Sequence, residues 1–396
     1  MNTGTKTVKG YRASAVKAGL KKEGALDLAL IFSEKEAVAA GAFTTNKVKA
    51  APVILTQKNI RNNRARAIVA NSGNANACSG KRGLSDAGRM ADLAAKELGI
   101  DPDEVFVAST GVIGRPLEMD LITEAMPELV DALSGDGMPL AAQAIMTTDS
   151  FPKLSYFDGK ANGRPYRILG IAKGAGMIMP NMATMLAFVI SDIRIEADYL
   201  EEALISSVEA TFNRITVDGD TSTNDTVLAL ANGMAENGPL SKEDYKAFGN
   251  GLESVMSDLS HMIVKDGEGA TKVVHVEIHG AQSPSDALVA AKTVANSPLV
   301  KTAFYGQDPN WGRIMAALGR AGIEMIEESV DIWIDDIQIV EKGLGKGVRS
   351  EERASKRMTN EEFILLIDLH IGEFSDKVIT CDLTHEYISI NADYRT

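Results

Sequence analysis

Cysteine is scarce in this chain of 396 residues: there are two, Cys78 and Cys381, far apart in sequence. That excludes a disulfide framework and suits a reducing compartment. Basic charge is in deficit, with 41 Lys and Arg against 54 Asp and Glu and a net charge of -13. No long Lys/Arg-rich run is present, so a nucleic-acid partner is set aside. Long apolar runs are missing too. No stretch approaches the roughly 18–20 consecutive apolar residues that cross a bilayer, so no membrane partner is expected. The first residues, MNTGTKTVKGYRAS, are polar and basic and lack the apolar core of a signal peptide. These absences together point to a cytoplasmic protein.

Complete metal and phosphate motifs are lacking as well. His275 and His279 stand four apart in HVEIH. The helical zinc motif needs Glu directly after the first His, where this chain has Val276. The segment VVHVEIH alternates as a strand does. GLGKG at 343–347 has neither the glycine spacing nor the Ser/Thr of a phosphate loop. DGDTSTND places Asp218, Asp220, Ser222 and Asn224 at alternate positions. A calcium loop, however, needs Gly and Glu where Thr223 and Ala229 stand. A capped loop leading into a helix is the plainer reading of that stretch, and no metal ligand is expected.

What the chain does have is core-forming material. Hydrophobic residues make up 45% and charged residues 24%, the proportions of a globular protein. The length suits two domains, or one large layered α/β unit with an appendage. Residues 67–70 form a short apolar run ending in the polar loop NSGNANACSGKRG. Helical periodicity follows in LSDAGRMADLAAKELG, with Ser85 as the expected cap and Gly99 as the stop. VFVAS reads as a strand, TGVIG as a turn, and MDLITEAMPELVDAL and GMPLAAQAIM as helices, the latter leading to the cluster TTDS. Strands are expected over 166–172 and 184–190, and a helix at ADYLEEALISSVEATF. TVLALANGMAE reads as helical. A long helix is expected after Ser241, capped by Asp244. The tail suggests helices at 285–295, from Trp311 and near 360–371, with strands near 330–340. A change of character near residue 285 suggests a smaller C-terminal domain over about 285–396.

One segment combines several unusual features. KGAGMIMPNMATMLAFV, residues 173–189, begins as loop chemistry and ends as an apolar strand, with Thr184 at the junction after Ala183. Its glycines allow positive φ and close approach, and Pro180 fixes one φ and restricts Met179. A hydroxyl at such a point can attack the carbonyl of the residue before it. An N-to-O acyl shift at Ala183 and hydrolysis of the ester would make Thr184 a new N-terminus. Threonine is a weak nucleophile that needs an adjacent base. A free α-amino group, with a pKa of about 7.7–8.0, supplies one far better matched to neutral pH than lysine. From pattern alone the competing reading stays open: a glycine-rich turn between two strands, with Thr184 an ordinary strand residue.

KGAGMIMPNMATMLAF resembles the self-cleavage segment of the ornithine acetyltransferases (glutamate N-acetyltransferases) of arginine biosynthesis. The resemblance extends through VANSGNANACSG, ASTGVIG, IMTTDSFPK, DGDTSTNDT, KDGEGATK, YGQDPNWGR and the terminal NADYRT, in that order. It implies a cut between Ala183 and Thr184, leaving an α chain of 1–183 and a β chain of 184–396. Thr184 would then carry acetyl from N-acetylornithine to glutamate. Thr110 and Gly111 match the family's oxyanion segment. Thr147, Lys173, Glu268, Asn391 and Thr396 match its substrate-binding positions, together with Thr184. The implied fold is a layered α/β/β/α sandwich with a smaller C-terminal α/β domain. The implied assembly is an α2β2 heterotetramer. No cofactor is implied, although some members of the family also use acetyl-CoA as a co-substrate. Two other readings use the same residues: a self-cleaving amidohydrolase or aminopeptidase on this scaffold, and a sensor that keeps the fold without the chemistry.

Overall fold

The computed structural model describes residues 7–21, 24–179 and 185–393. The chain opens with β1 (Tyr11–Val16), β2 (Leu28–Phe43), α1 (Ala51–Asn59), β3 (Arg64–Asn71), α2 (Gly80–Leu98) and β4 (Val105–Ser109). It continues with α3 (Met119–Asp131), α4 (Met138–Ala144), β5 (Lys153–Ala161), β6 (Arg164–Lys173), β7 (Leu186–Ser191) and α5 (Ala197–Ala210). Next come β8 (Ile215–Thr216), β9 (Thr226–Ala231), α6 (Lys242–Lys265), β10 (Val273–Ala281), α7 (Pro284–Ala295), α8 (Pro298–Tyr305) and α9 (Trp311–Gly319). The tail holds β11 (Asp331–Ile334), β12 (Ile337–Glu341), β13 (Leu344–Gly345), α10 (Val348–Arg357), β14 (Glu362–Asp368), β15 (Phe374–Cys381) and α11 (His385–Asp393).

The long strand β2 organises the first unit. Strands run in the order β4-β3-β2-β9-β7-β6-β5, with β1 also on β2. The N-terminal part of β2 pairs β1 and β3, the C-terminal part pairs β9, and the β3 register breaks between Phe32 and Ala37. The two halves of the sheet therefore face each other. Between them lies one core, with Ala29, Ile31, Ile68 and Phe106 from one half and Ile171, Phe188, Ile190 and Leu228 from the other. Neighbouring strand residues point the opposite way, as the two-residue period requires. Leu30, Val69 and Val107 pack outward on Met90, Ala94, Ile122 and Met126 of α2 and α3. Val189 and Ile168 pack outward on Leu204, Leu252, Val255 and Leu259 of α5 and α6. The result is the expected α/β/β/α sandwich, a helix layer on each outer face of two β layers.

The second sheet runs β13-β12-β11-β14-β10-β15-β8 and has its own core. Val274, Val276, Ile278, Leu365 and Ile367 face Ala287, Ala291 and Val294 of α7. The sheet reaches the sandwich through Val273 and Cys381, which share a cluster with α6. Both cysteines are free, Cys78 exposed and Cys381 buried.

Three local expectations change. TVLALA is not helical; it is β9, buried along its whole length between β2 and β7. A continuous apolar run has no period by which to separate a buried strand from a buried helix. The stretch near 360–371 is also a strand, β14, parallel to β10, with the alternating burial of EFILLID. Helix α2 starts at Gly80 with Ser79 at its cap position rather than at Ser85. Its first turn is largely exposed, so the apolar stripe begins a turn later than the helix itself. Gly99 closes it at φ 66°, as expected. The Ser241/Asp244 capping box opens α6, also as expected.

Candidate active site

Six of the residues singled out from sequence line one cavity of about 200 Å³: Thr110, Gly111, Thr147, Lys173, Glu268 and Asn391. They come from five separate segments, brought together at the ends of β4 and β6 and beneath α11. Ala183, Thr184 and Thr396 lie outside the described residues. The residue next to Thr184, Met185, is buried, and its N–H is held by the Asp225 carboxylate at 3.0 Å.

β4 delivers the Thr110–Gly111 corner. The Thr110 N–H donates to the Asn71 carbonyl at 3.0 Å, and bridges tie Asn74 to Thr110 and Val112. Asn71 and Asn74 lie in the NSGNANACSG loop, and Asn71 accepts the Ser109 hydroxyl at 2.6 Å. Asn224 braces both loops, donating to the carbonyls of Ala75 at 2.6 Å and Ser109 at 2.8 Å. Gly111 has φ 128°, and a Cβ there would lie 2.4 Å from the Gly73 carbonyl carbon. Only glycine lets the backbone turn into the cavity at this point.

Lys173 ends β6 and is 2% exposed. Its ammonium donates to the Thr147 hydroxyl at 2.9 Å and lies 3.8 Å from Asp149. Burial lowers its pKa, with Asp149 opposing the shift. Asp149 also takes Lys153 at 2.7 Å and the Gly174 N–H at 2.6 Å. Burial alone would raise its carboxyl, but Lys173 and Lys153 hold it down, at about 2. Lys153 in turn meets Asp266 at 2.5 Å, so two lysines and two aspartates form a buried, charge-balanced brace under the cavity.

The opposite wall is acidic. The Glu268 carboxylate packs so closely on Gly176 that a Cβ there would lie 2.4 Å from it. Glu268 accepts the Asn391 amide at 2.7 Å, which docks α11 over the cavity. Asp218 accepts the N–H groups of Met177 at 2.6 Å and Ile178 at 2.9 Å, holding the loop that leads towards Thr184. Its carboxyl is pushed upward by burial. The Tyr387 phenol reaches Asp218 at 3.4 Å, and burial together with that acid raises its pKa. Among the described lining residues Lys173 is the single cation, set against Asp218, Asp220 and Glu268. A ligand carrying both a carboxylate and an ammonium meets a partner for each.

Asp149, Asp218, Asn224 and Tyr387 were not assigned to the site from sequence, although TTDS and DGDTSTND contain the first three. An Asp or Asn in a turn reads as a local cap. Only the closed fold shows that Asp149 and Asp218 reach the Lys173 and Met177 segments and that Asn224 reaches Ala75 and Ser109.

Comparison with known proteins gives this arrangement its relatives. The model of the ArgJ family matches residues 12–396. The "Arginine biosynthesis bifunctional protein ArgJ" of Geobacter sulfurreducens is 50% identical, covering 98% of this chain and 100% of that protein. The "Glutamate N-acetyltransferase" of Methanocaldococcus jannaschii is 46% identical, covering 99% and 98%. A crystal structure of the arginine biosynthesis bifunctional protein argJ from Bacillus halodurans is 44% identical and covers 52% of this chain and 98% of its own, with a TM-score of 0.50. With a family match running almost from end to end, this chain belongs to the ArgJ family.

Proposed function

We propose that this chain is an ornithine acetyltransferase (glutamate N-acetyltransferase) of arginine biosynthesis that cuts itself before Thr184 and carries acetyl on that residue. The observation that carries the reading is the convergence of Thr110, Gly111, Thr147, Lys173, Glu268 and Asn391 on one cavity. The segments on either side of residues 180–184 support it, since Met177 and Ile178 are fixed by Asp218 and Met185 by Asp225. The loop is tied down at both ends, as an intramolecular attack requires.

In this reading the Thr184 hydroxyl attacks the acetyl carbonyl of N-acetylornithine. The developing oxyanion takes hydrogen bonds from the Thr110 hydroxyl and the Gly111 N–H. The new α-amino group of Thr184 accepts the hydroxyl proton and returns it to the departing amine of ornithine. The amine of glutamate then attacks the acetyl ester and leaves as N-acetylglutamate, restoring the hydroxyl. Lys173 pairs with the carboxylate common to both substrates, and Glu268 with the side-chain ammonium of ornithine. Thr147 holds the Lys173 ammonium in place. Asn391 and Thr396 would close the cavity from the C-terminal side.

Acetyl-CoA is the further donor we assign to the same acetyl-Thr184 stage, and no other cofactor is required. The working form in this proposal is an α2β2 heterotetramer in the cytoplasm. No helix among the described residues is long and apolar enough to cross a membrane.

The test is an intact-mass spectrum under denaturing conditions of the wild type and Thr184→Ala, followed by an acetyl-transfer assay. Two fragments meeting at Ala183/Thr184 in the wild type and one uncut chain in the variant are expected. Ornithine release should rise steeply when glutamate is added, with N-acetylglutamate formed in equal amount. Release that ignores glutamate would mark a hydrolase, and an uncut wild type would remove the nucleophile.

A further inference from the structure

His275 escaped the sequence as a ligand because its apparent partner, His279, is the wrong one. Four residues along a strand separate the two by about 13 Å, and His279 instead lies 3.9 Å from Glu277. The fold gives His275 different neighbours. β10 and β14 are parallel with Val273 opposite Glu362, which places His275 and Glu362 on one face of the second sheet as diagonal neighbours. Helix α6 packs on the second sheet near β15 and β8 and brings His261 onto the pair. His275 Nε2 lies 2.6 Å and His261 Nε2 3.0 Å from the same Glu362 oxygen. The two imidazole rings are stacked at 6.3 Å between centroids.

We infer that His261, His275 and Glu362 form a binding site for a divalent transition-metal ion of the zinc type, joining α6 of the sandwich to β10 and β14 of the second sheet. The three donor atoms all lie within 4.8 Å of one another. A tetrahedral ion with bonds of about 2.0–2.1 Å needs donors about 3.3 Å apart. The Glu362 side chain is half exposed, and its oxygen has to draw back by about 0.7 Å from His275 and about 0.3 Å from His261 to admit it. Two imidazoles and one carboxylate select zinc, cobalt or nickel over calcium or magnesium, which favour all-oxygen shells. Three protein ligands leave a fourth position for water, and the partial exposure of all three residues provides it.

The surroundings set the affinity. Lys265 and Lys272 line the groove beside Glu362. Lys272 is spent on the carbonyls of Thr359 and Asn360, both at 2.9 Å, so Lys265 is the remaining lysine of that groove, and its charge opposes an incoming cation. Without a metal, one carboxylate oxygen accepts from both rings, a pairing that lasts only while each ring carries a proton on Nε2. The metal takes the place of those two protons on the carboxylate side. This site is separate from the Lys173 cavity and does not depend on the proposed transfer reaction.

Titrating zinc chloride into metal-free full-length protein, in a Cys78→Ser background to remove the exposed thiol, tests the proposal by calorimetry and thermal melting. About one equivalent is expected to bind, with Tm raised by roughly 2–5 °C at saturating zinc. His261→Ala, His275→Ala and Glu362→Gln should each weaken binding at least tenfold and abolish the Tm rise while leaving the metal-free melt close to the parent. No uptake of zinc, or uptake that survives both histidine substitutions, overturns the assignment.

Discussion

Asp225 holds the amide of Met185: its Oδ1 accepts that N–H at 3.0 Å, and its carboxyl is 0% exposed. Among the described residues its buried Oδ2 has no hydrogen-bond partner. The Thr44 hydroxyl beside it donates to the Ser222 carbonyl at 2.7 Å instead. Burial pushes the carboxyl well above the ordinary range, against the Met185 N–H and the charge of Lys173. Burial thus favours the protonated form of an acid fixed one peptide unit from the proposed point of cleavage. The N-to-O shift needs such a group, because the departing amide nitrogen of Thr184 must gain a proton as the C–N bond breaks. Asp225→Asn keeps an oxygen for Met185 but has no acidic proton. It is expected to slow self-cleavage by about 10²–10⁴-fold with little change in melting, read by intact mass over time. In the wild type the cleavage rate should fall as pH rises through the raised pKa of Asp225.

Asp149 gives an acid-stability prediction. Its carboxyl sits at about 2 in the folded chain, below the usual value near 3.9. A depressed carboxyl stabilises above the unfolded pKa and loses that contribution as pH falls through the folded one. The shift corresponds to about 2–3 kcal/mol, lost between about pH 4 and pH 2. Asp149→Asn leaves Lys173 without its buried counter-charge and Lys153 with Asp266 alone. A loss of about 3–5 kcal/mol at neutral pH is expected. The variant should also show a flatter dependence on pH below 4 in denaturant titrations.

Lys173 tests the polarity of the cavity. Lys173→Gln removes the one cation among the described lining residues while keeping an amide near Thr147. Losing one charge-assisted contact to a carboxylate costs about 1.5–3 kcal/mol, or roughly 10–150-fold in kcat/KM. The loss should be shared by N-acetylornithine and glutamate. A loss confined to one of them would place Lys173 outside the common carboxylate contact.

Two glycines in one turn should behave differently. Gly111→Ala drives a Cβ to 2.4 Å from the backbone of Gly73 at φ 128°. Gly114 also has positive φ, 79°, but has open space around it. Gly114→Ala should therefore cost only about 1 kcal/mol of backbone strain, with activity retained. Gly111→Ala should lower kcat by about 10²–10³-fold through displacement of the adjacent N–H. Melting curves and transfer rates on the same two variants separate these outcomes.

The layered α/β class was legible because several helices carry a 3.6-residue stripe, and α6 and α2 carry recognisable end signals at Ser241 and Gly99. β9 was not, since TVLALA is apolar on both faces. β14 was misread as helix because EFILLID is short and lies between two polar turns. The site was legible where residues carried the resemblance, and the six described members do meet in space. Its support was hidden. Asp149 and Asp218 look like turn caps in sequence, and the Gly174 and Met177 amides they hold lie 25 and 41 residues away. The grouping of His261 and His275 with Glu362 needed the packing of α6 on the second sheet and the parallel pairing of β10 with β14, which no spacing along the chain records.

β6 and β7 are adjacent antiparallel strands, with Lys173 opposite Leu186. A cut between Ala183 and Thr184 opens the hairpin connecting them and leaves the ladder intact. Ile171 and Phe188 then belong to different polypeptides yet stay within the same core. The nicked protein is thus a non-covalent complex whose interface is the middle of a sheet, and dilution cannot part it without melting both pieces. Its two fragments should enter and leave the folded state together, and they should separate only on a denaturing column.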